Sequence, residues 1–141
     1  MAGEARATRY ALVTGGSSGI GLETARGLKG HFDVVGIVGR HAGRLAAAAD
    51  DLGRDGGRIE TFQADFASLR DVQRLADEVK ASFDSLSVLI NNAGVWHRDR
   101  VLSKDGYEET FAVNHLAHFL LTNELKELLV TGAPARVINV S

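Results

Sequence analysis

The chain has 141 residues, 45% of them hydrophobic and 24% charged, with a formal net charge of −2, a balance that suits one domain with one buried core. Nucleic acid and anionic membrane surfaces select clustered Lys and Arg, so this charge argues against both and for a small-molecule partner. The absence of cysteine excludes a disulfide framework, a thiolate nucleophile and a Cys-based zinc site, and suits a reducing cytoplasm.

The N-terminal stretch MAGEARATRY mixes Glu4 with Arg6 and Arg9 and lacks the apolar core of a leader peptide. No later run approaches the ~18 apolar residues of a membrane span, so a soluble, uncleaved, cytoplasmic protein is expected. Tyr10–Thr14 (YALVT) is an apolar run ending on glycines, which reads as a strand buried on both faces. From Ile20 the apolar positions Ile20, Ala25 and Leu28 keep helical spacing up to Gly30. Val34–Val38 then reads as a strand, Leu45–Leu52 as a helix and Arg58–Ala64 as a strand. Leu69, Val72, Leu75, Ala76, Val79 and Phe83 mark one face of the next helix. Leu86–Asn91 gives a fourth strand, and Gly106–Val130 one long helical pattern with a break, capped by Ser103 or Asp105. Arg136–Ser141 begins a fifth strand after Pro134. This alternation predicts an α/β fold, a doubly wound parallel sheet with helices on both faces and ligands at the carboxyl ends of the strands. One domain covering residues 1–141 is expected, C-terminally incomplete because the fifth strand is still running at Ser141.

Between the first strand and helix lies TGGSSGIG, with glycines at Gly15, Gly19 and Gly21. A nucleotide diphosphate lies against backbone N–H groups at a helix N-terminus, where a Cβ would hold it away or forbid φ > 0. The phosphate loop of nucleotide hydrolases is excluded, because Leu22 and Glu23 stand where Lys and Ser/Thr are needed.

Thr14, Gly15, Gly19 and Gly21, the segment Asn91, Asn92, Ala93, Gly94, the acidic Asp65 closing the third strand, and Asn114 in FAVNH together resemble the short-chain dehydrogenase/reductase family. The resemblance runs from Thr14 to Asn114 and implies a Rossmann fold cut off after the fifth strand. It implies a nicotinamide cofactor held by Thr14, Gly15, Ser17, Ser18, Gly19, Ile20, Gly21, Arg40, Asp65, Phe66, Asn91, Ala93 and Gly94. Asp65 would accept from the adenine amino group, with a helix cap before Ser68 as its alternative, and Asn91 and Ala93 would line the crevice near the adenosine ribose. Asn92 reads equally as a structural residue satisfying backbone groups. The resemblance makes Asn114 the catalytic residue, distorting its helix so that a freed carbonyl holds a water in the proton path. The segment VNHLAHFLLT looks like the retinol dehydrogenase branch, which implies a lipophilic carbonyl or alcohol substrate. Family pairing through helices of this region implies a homo-oligomer of the complete protein.

A protein that prefers NAD carries an acidic residue at the end of the second strand. Here the strand end reads Gly39, Arg40 with no carboxylate, so NADP(H) is favoured over NAD(H), and Ser17 adds a hydroxyl. The family's proton-transferring Tyr-x-x-x-Lys is absent: four residues after Tyr10 and Tyr107 stand Thr14 and Phe111. The chain alone is therefore expected to be inactive, and the alternative is a nucleotide-binding or interaction module without catalysis. Asn139, Val140 and Ser141 match the start of Asn-Val-Ser-Ser, which would put the catalytic serine one residue further on. His115 and His118 share a helix but have no third ligand, so no metal is expected. Trp96 and His97 fall where substrate would enter, with a cap over the core as the alternative for Trp96.

Overall fold

The computed structural model describes residues 6–141, so Glu4 lies outside the described residues. The elements are β1 (Tyr10–Thr14), α1 (Gly19–Leu28), β2 (Val34–Gly39), α2 (Ala42–Gly53), β3 (Arg58–Gln63), α3 (Leu69–Ser82) and β4 (Val88–Asn91). They continue with α4 (Glu109–Phe111), a π-helical turn (Ala112–Leu116), α5 (Ala117–Glu124), α6 (Lys126–Thr131) and β5 (Arg136–Asn139). The strands form one sheet in the order β3-β2-β1-β4-β5, parallel throughout. This is the doubly wound arrangement, with the order reversing between β1 and β4.

Side-chain alternation along the strands builds two cores. Leu12, Val34, Val38, Phe62 and Leu89 face α3 and α5, where they meet Val72, Leu75, Val79, Phe83, Leu121 and Leu125. Ala11, Val13, Val35, Ile37 and Ile90 face the other way, onto Ala25, Leu45, Ala48 and Leu52 of α1 and α2. Phe83 lies between Tyr10, with ring centroids 4.5 Å apart, and Phe62, edge-on at 5.5 Å. Gly36 makes room for it, since a Cβ there would stand 2.9 Å from the Phe83 ring. Because β1 is central and every one of its residues is buried, its carboxyl end lies deep in the molecule, between two helix layers.

The long helical pattern over Gly106–Val130 resolves differently from the expectation. The helix starts at Glu109, turns π at Ala112–Leu116 and breaks at Leu125, where φ is −94° and ψ is 7°. Neither Ser103 nor Asp105 caps it; the Glu108 side chain does, accepting from Phe111 N–H at 2.6 Å. Residues 102–108 are instead a closed turn, bridged between Leu102 and Glu108 and passing through Gly106 at φ 84°. Ser103 is used inside this turn, its Oγ accepting from Tyr107 N–H at 3.2 Å. Asp105 reaches across to α3 and accepts from Leu69 N–H at 2.9 Å. Among the described residues, no helix is long and apolar enough to cross a membrane.

Candidate functional site

A cleft of about 280 Å³ opens at the carboxyl ends of the strands. Of the residues singled out from sequence, Gly15, Ser17, Ser18, Arg40, Asp65, Phe66, Ala93 and Gly94 line it. The glycine turn forms its floor. Gly15 and Gly19 take positive φ, 65° and 55°, which brings the chain round into α1. Ser18 precedes α1 in extended conformation without a side-chain capping bond, and the first turn of α1 holds no acidic residue. The helix N-terminus therefore presents N–H donors and its partial positive charge to the cleft with no side-chain anion in competition.

The three motif glycines have different reasons. Around Gly19 nothing lies within 4 Å of where a Cβ would be, so this position borders open space. At Gly21 a Cβ would fall 2.0 Å from the Gly15 carbonyl oxygen and 2.6 Å from Asn92 Nδ2. Gly21 is thus required by packing of α1 against its own turn, and Gly19 by backbone conformation.

Thr14 is fully buried beneath the turn. Its Oγ1 accepts from the N–H groups of Asn92 and Ala93, both at 2.9 Å, and lies 2.9 Å from His118 Nε2. Asn92 Nδ2 donates to the Thr14 carbonyl at 3.1 Å and faces that of Gly15 at 3.4 Å. These bonds tie the end of β1 to the end of β4, and they give Asn92 the structural part of its two readings.

On the opposite wall, Asp65 Oδ1 accepts from Ala67 N–H at 2.9 Å, folding the turn from β3 into α3. Ser68 caps α3 by accepting from Asp71 N–H at 3.2 Å, and Asp71 Oδ2 accepts from Asp65 N–H at 2.6 Å. Burial pushes the Asp71 carboxyl up, but the Asp65 N–H and the Arg74 guanidinium outweigh it and hold it below the ordinary carboxylate value. The result is a fixed turn that carries Asp65 and Phe66 at the edge of the cleft.

Of the expected cofactor residues, Thr14, Gly19, Ile20, Gly21 and Asn91 are not in the cleft lining. Asn91 does not line this cleft: strand alternation turns its side chain to the α5 side, where Nδ2 donates to Thr122 Oγ1 at 3.1 Å and Asn139 Oδ1 at 2.8 Å. Its own Oδ1 is buried with no partner among the described residues. Ile20 stands on the outer side of α1, 70% exposed and away from the cleft lining.

Asn114 sits within the π turn, so the helix is distorted at this residue. Its side chain makes a two-point pair with Val95, Oδ1 accepting from Val95 N–H at 2.8 Å and Nδ2 donating to Val95 O at 2.9 Å. The amide thus holds the loop after β4 against the helix. A second cavity of about 480 Å³ lies behind it, lined by Asn91, Asn114, His118, Thr122, Asn139 and Ser141, among others.

Sequence reasoning missed Arg44 and His41, which line the cleft beside Arg40. The signal was available in the sequence only as two further basic or titratable residues close after Arg40, at His41 and Arg44, around the start of α2. His41 precedes α2 without making a capping bond. Trp96 is 79% exposed on the loop after Gly94, and His97 Nε2 lies 3.1 Å from Glu109 Oε1. His115 stacks between Phe111 and Phe119 while His118 is buried, and no cluster of three metal-ligating side chains occurs among the described residues.

The chain is 40% identical over 141 residues to the WW domain-containing oxidoreductase of Danio rerio, covering 99% of this chain and 34% of that protein. It is 41% identical over 142 residues to retinol dehydrogenase 14 of Mus musculus, covering 92% of this chain and 42% of that protein. The chain therefore spans well under half the length of these relatives. Among solved structures, a metagenomic short-chain oxidoreductase in complex with NADP superposes with a TM-score of 0.82 at 29% identity, over 94% of this chain and 62% of that one. The Pseudomonas aeruginosa RhlG/NADP complex superposes with a TM-score of 0.79 at 34% identity, over 92% of this chain and 52% of that one. With residues 9–141 matching the short chain dehydrogenase family from before β1 to the last residue, the chain belongs to that family.

Proposed function

We propose that this chain is the cofactor-binding part of an oxidoreductase that passes hydride between NADP(H) and a carbonyl or secondary alcohol carbon. The observation that carries the reading is the cleft itself: a glycine turn on an uncapped, acid-free helix start, with Arg40, Arg44 and Asp65 in the same lining. This donor set fits a dinucleotide. Ser17, Ser18 and the N–H groups of the turn would hold the diphosphate, Asp65 and Phe66 the adenine side, and Ala93 and Gly94 the ribose side. Arg40 and Arg44 supply two guanidinium forks for a 2′-phosphate, and Gly39 leaves no carboxylate at the end of β2 to repel it. The bound nicotinamide supplies the hydride chemistry. Asn114 would position the loop after β4 through Val95 and turn its carbonyl toward the second cavity, where a water in the proton path would sit. A Tyr-x-x-x-Lys does not occur in this chain: Tyr10 is buried in the core and Tyr107 lies in the turn before α4. The chain alone therefore binds cofactor without turning over substrate.

Likeness to retinol dehydrogenase 14 and the exposed Trp96 beside the cleft support a lipophilic substrate. Titration with NADPH and NADH tests the cofactor reading. Arg40→Ala and Arg44→Ala should each weaken NADPH by about tenfold, as expected for a lost charge-assisted hydrogen bond, and leave NADH unchanged. Equal loss for both cofactors would reject the 2′-phosphate role, and binding of neither would reject the site.

A further inference from the structure

The proton inventory around Thr14 assigns a role to His118. A threonine hydroxyl has one proton and two acceptor lone pairs. The N–H groups of Asn92 and Ala93, both 2.9 Å from Oγ1, take the two lone pairs. His118 Nε2, also at 2.9 Å, cannot then donate to Oγ1; it accepts the Thr14 proton, in preference to the Ile90 carbonyl at 3.4 Å. A neutral ring that accepts at Nε2 carries its proton on Nδ1, and Nδ1 faces the Asn114 carbonyl at 3.5 Å. That carbonyl belongs to the π turn, where backbone bonds are shifted by one residue and Ala117 N–H reaches Ala112 O. The edge-to-face ring of Phe66, 5.0 Å away, holds the imidazole from the cleft side. His118 is 6% exposed, and its burial favours the neutral ring.

We infer that His118 is a positioning residue, fixed as the Nδ1–H tautomer, that joins the glycine turn at Thr14 to the π turn at Asn114 and backs Phe66 from behind. It does not line the cofactor cleft, although it borders the second cavity, and it acts through Thr14, Asn114 and Phe66. Its effect on cofactor affinity rests on the function proposed above, whereas its tautomer does not.

Two measurements test this. Long-range proton–nitrogen NMR of the histidine-labelled protein at pH 7 should show Nδ1 protonated and Nε2 bare at His118 without any cofactor present. A ring protonated at Nε2, or a charged ring, would overturn the inference. In parallel, NADPH affinity is compared in His118→Phe, which keeps a ring against Phe66, and His118→Gln, which returns an acceptor near the position of Nε2. The phenylalanine should weaken NADPH by about tenfold and the glutamine by less than about threefold, the difference of one buried hydrogen bond. In a Thr14→Val background, His118→Phe should add less than about twofold, because the partner is already gone. Equal losses in the two variants, or full additivity with Thr14→Val, would mean that His118 only fills space. If the unaltered protein binds no NADPH, the proposed function falls, and the tautomer alone decides the role of His118. If His118→Phe does not fold, the tautomer likewise decides the role of His118.

Discussion

At the scale of the residue, the glycine turn separates into positions that answer to different forces. Gly21→Ala pushes a methyl group into the Gly15 carbonyl at 2.0 Å, so the turn and α1 must move apart. It should cost about 1–3 kcal/mol in chemical denaturation, the range of an overpacked contact, and weaken NADPH with it. Gly19→Ala meets no atom but must hold φ near 55°, which costs about 1–2 kcal/mol of backbone strain. If Gly21→Ala proves the milder of the two, the contact with Gly15 is not what fixes that position. That these residues form one site was legible in the order Thr14, Gly15, Gly19, Gly21 and Asn91 to Gly94; the division of labour among them was not. It depends on where the Asn92 side chain comes to rest, 77 and 78 residues along the chain from its partners. Asn91 shows the same limit, since only the pairing of β4 decides which side of the sheet it faces.

At the scale of the element, the strands and the first three helices follow from apolar period and glycine stops, and they lie within a few residues of the expected bounds. The helix from α4 to α6 was harder. Val113, Ala117 and Leu121 keep a spacing of four, which a π turn and an α turn both satisfy, so the apolar pattern carries no mark of the extra residue. Asn114 announced a distortion only through the family resemblance. The start of α3 rests on local bonds that titrate. The Asp71 carboxyl, held below its ordinary value of 3.8 by the Asp65 N–H and Arg74 against the opposing effect of burial, is lowered on folding. Its stabilising effect is thus fully present above about pH 4 and is lost as the pH falls through the folded value. Asp71→Asn should flatten that acid limb in denaturation curves collected from pH 5 downward. An unchanged acid limb would count against the bonds at Asp65 and Arg74.

At the scale of the molecule, one sheet with two helix layers depends on few large side chains. Phe83 is 1% exposed and bridges Tyr10 of β1 and Phe62 of β3 across the gap left by Gly36. Phe83→Ala should lower stability by about 3–5 kcal/mol, the cost of deleting a buried aromatic, as read by urea unfolding. A loss below about 1 kcal/mol would mean that the space collapses around the missing ring. The doubly wound layout was legible because strands such as Val34–Gly39 are apolar on both faces and bounded by turns, which a sheet covered on both sides requires.

The Asp105 carboxylate, one of two candidates for the cap of its own helix, instead completes the first turn of α3 by accepting from Leu69 N–H. A segment that starts at the loop bearing Trp96 is thereby moored to the turn bearing Asp65 and Phe66, 36 residues away in sequence between donor and acceptor. One exposed hydrogen bond thus links the turn before α4 to the start of α3. A relative displacement of the two leaves the Leu69 amide without its acceptor, so that single N–H registers movement between them.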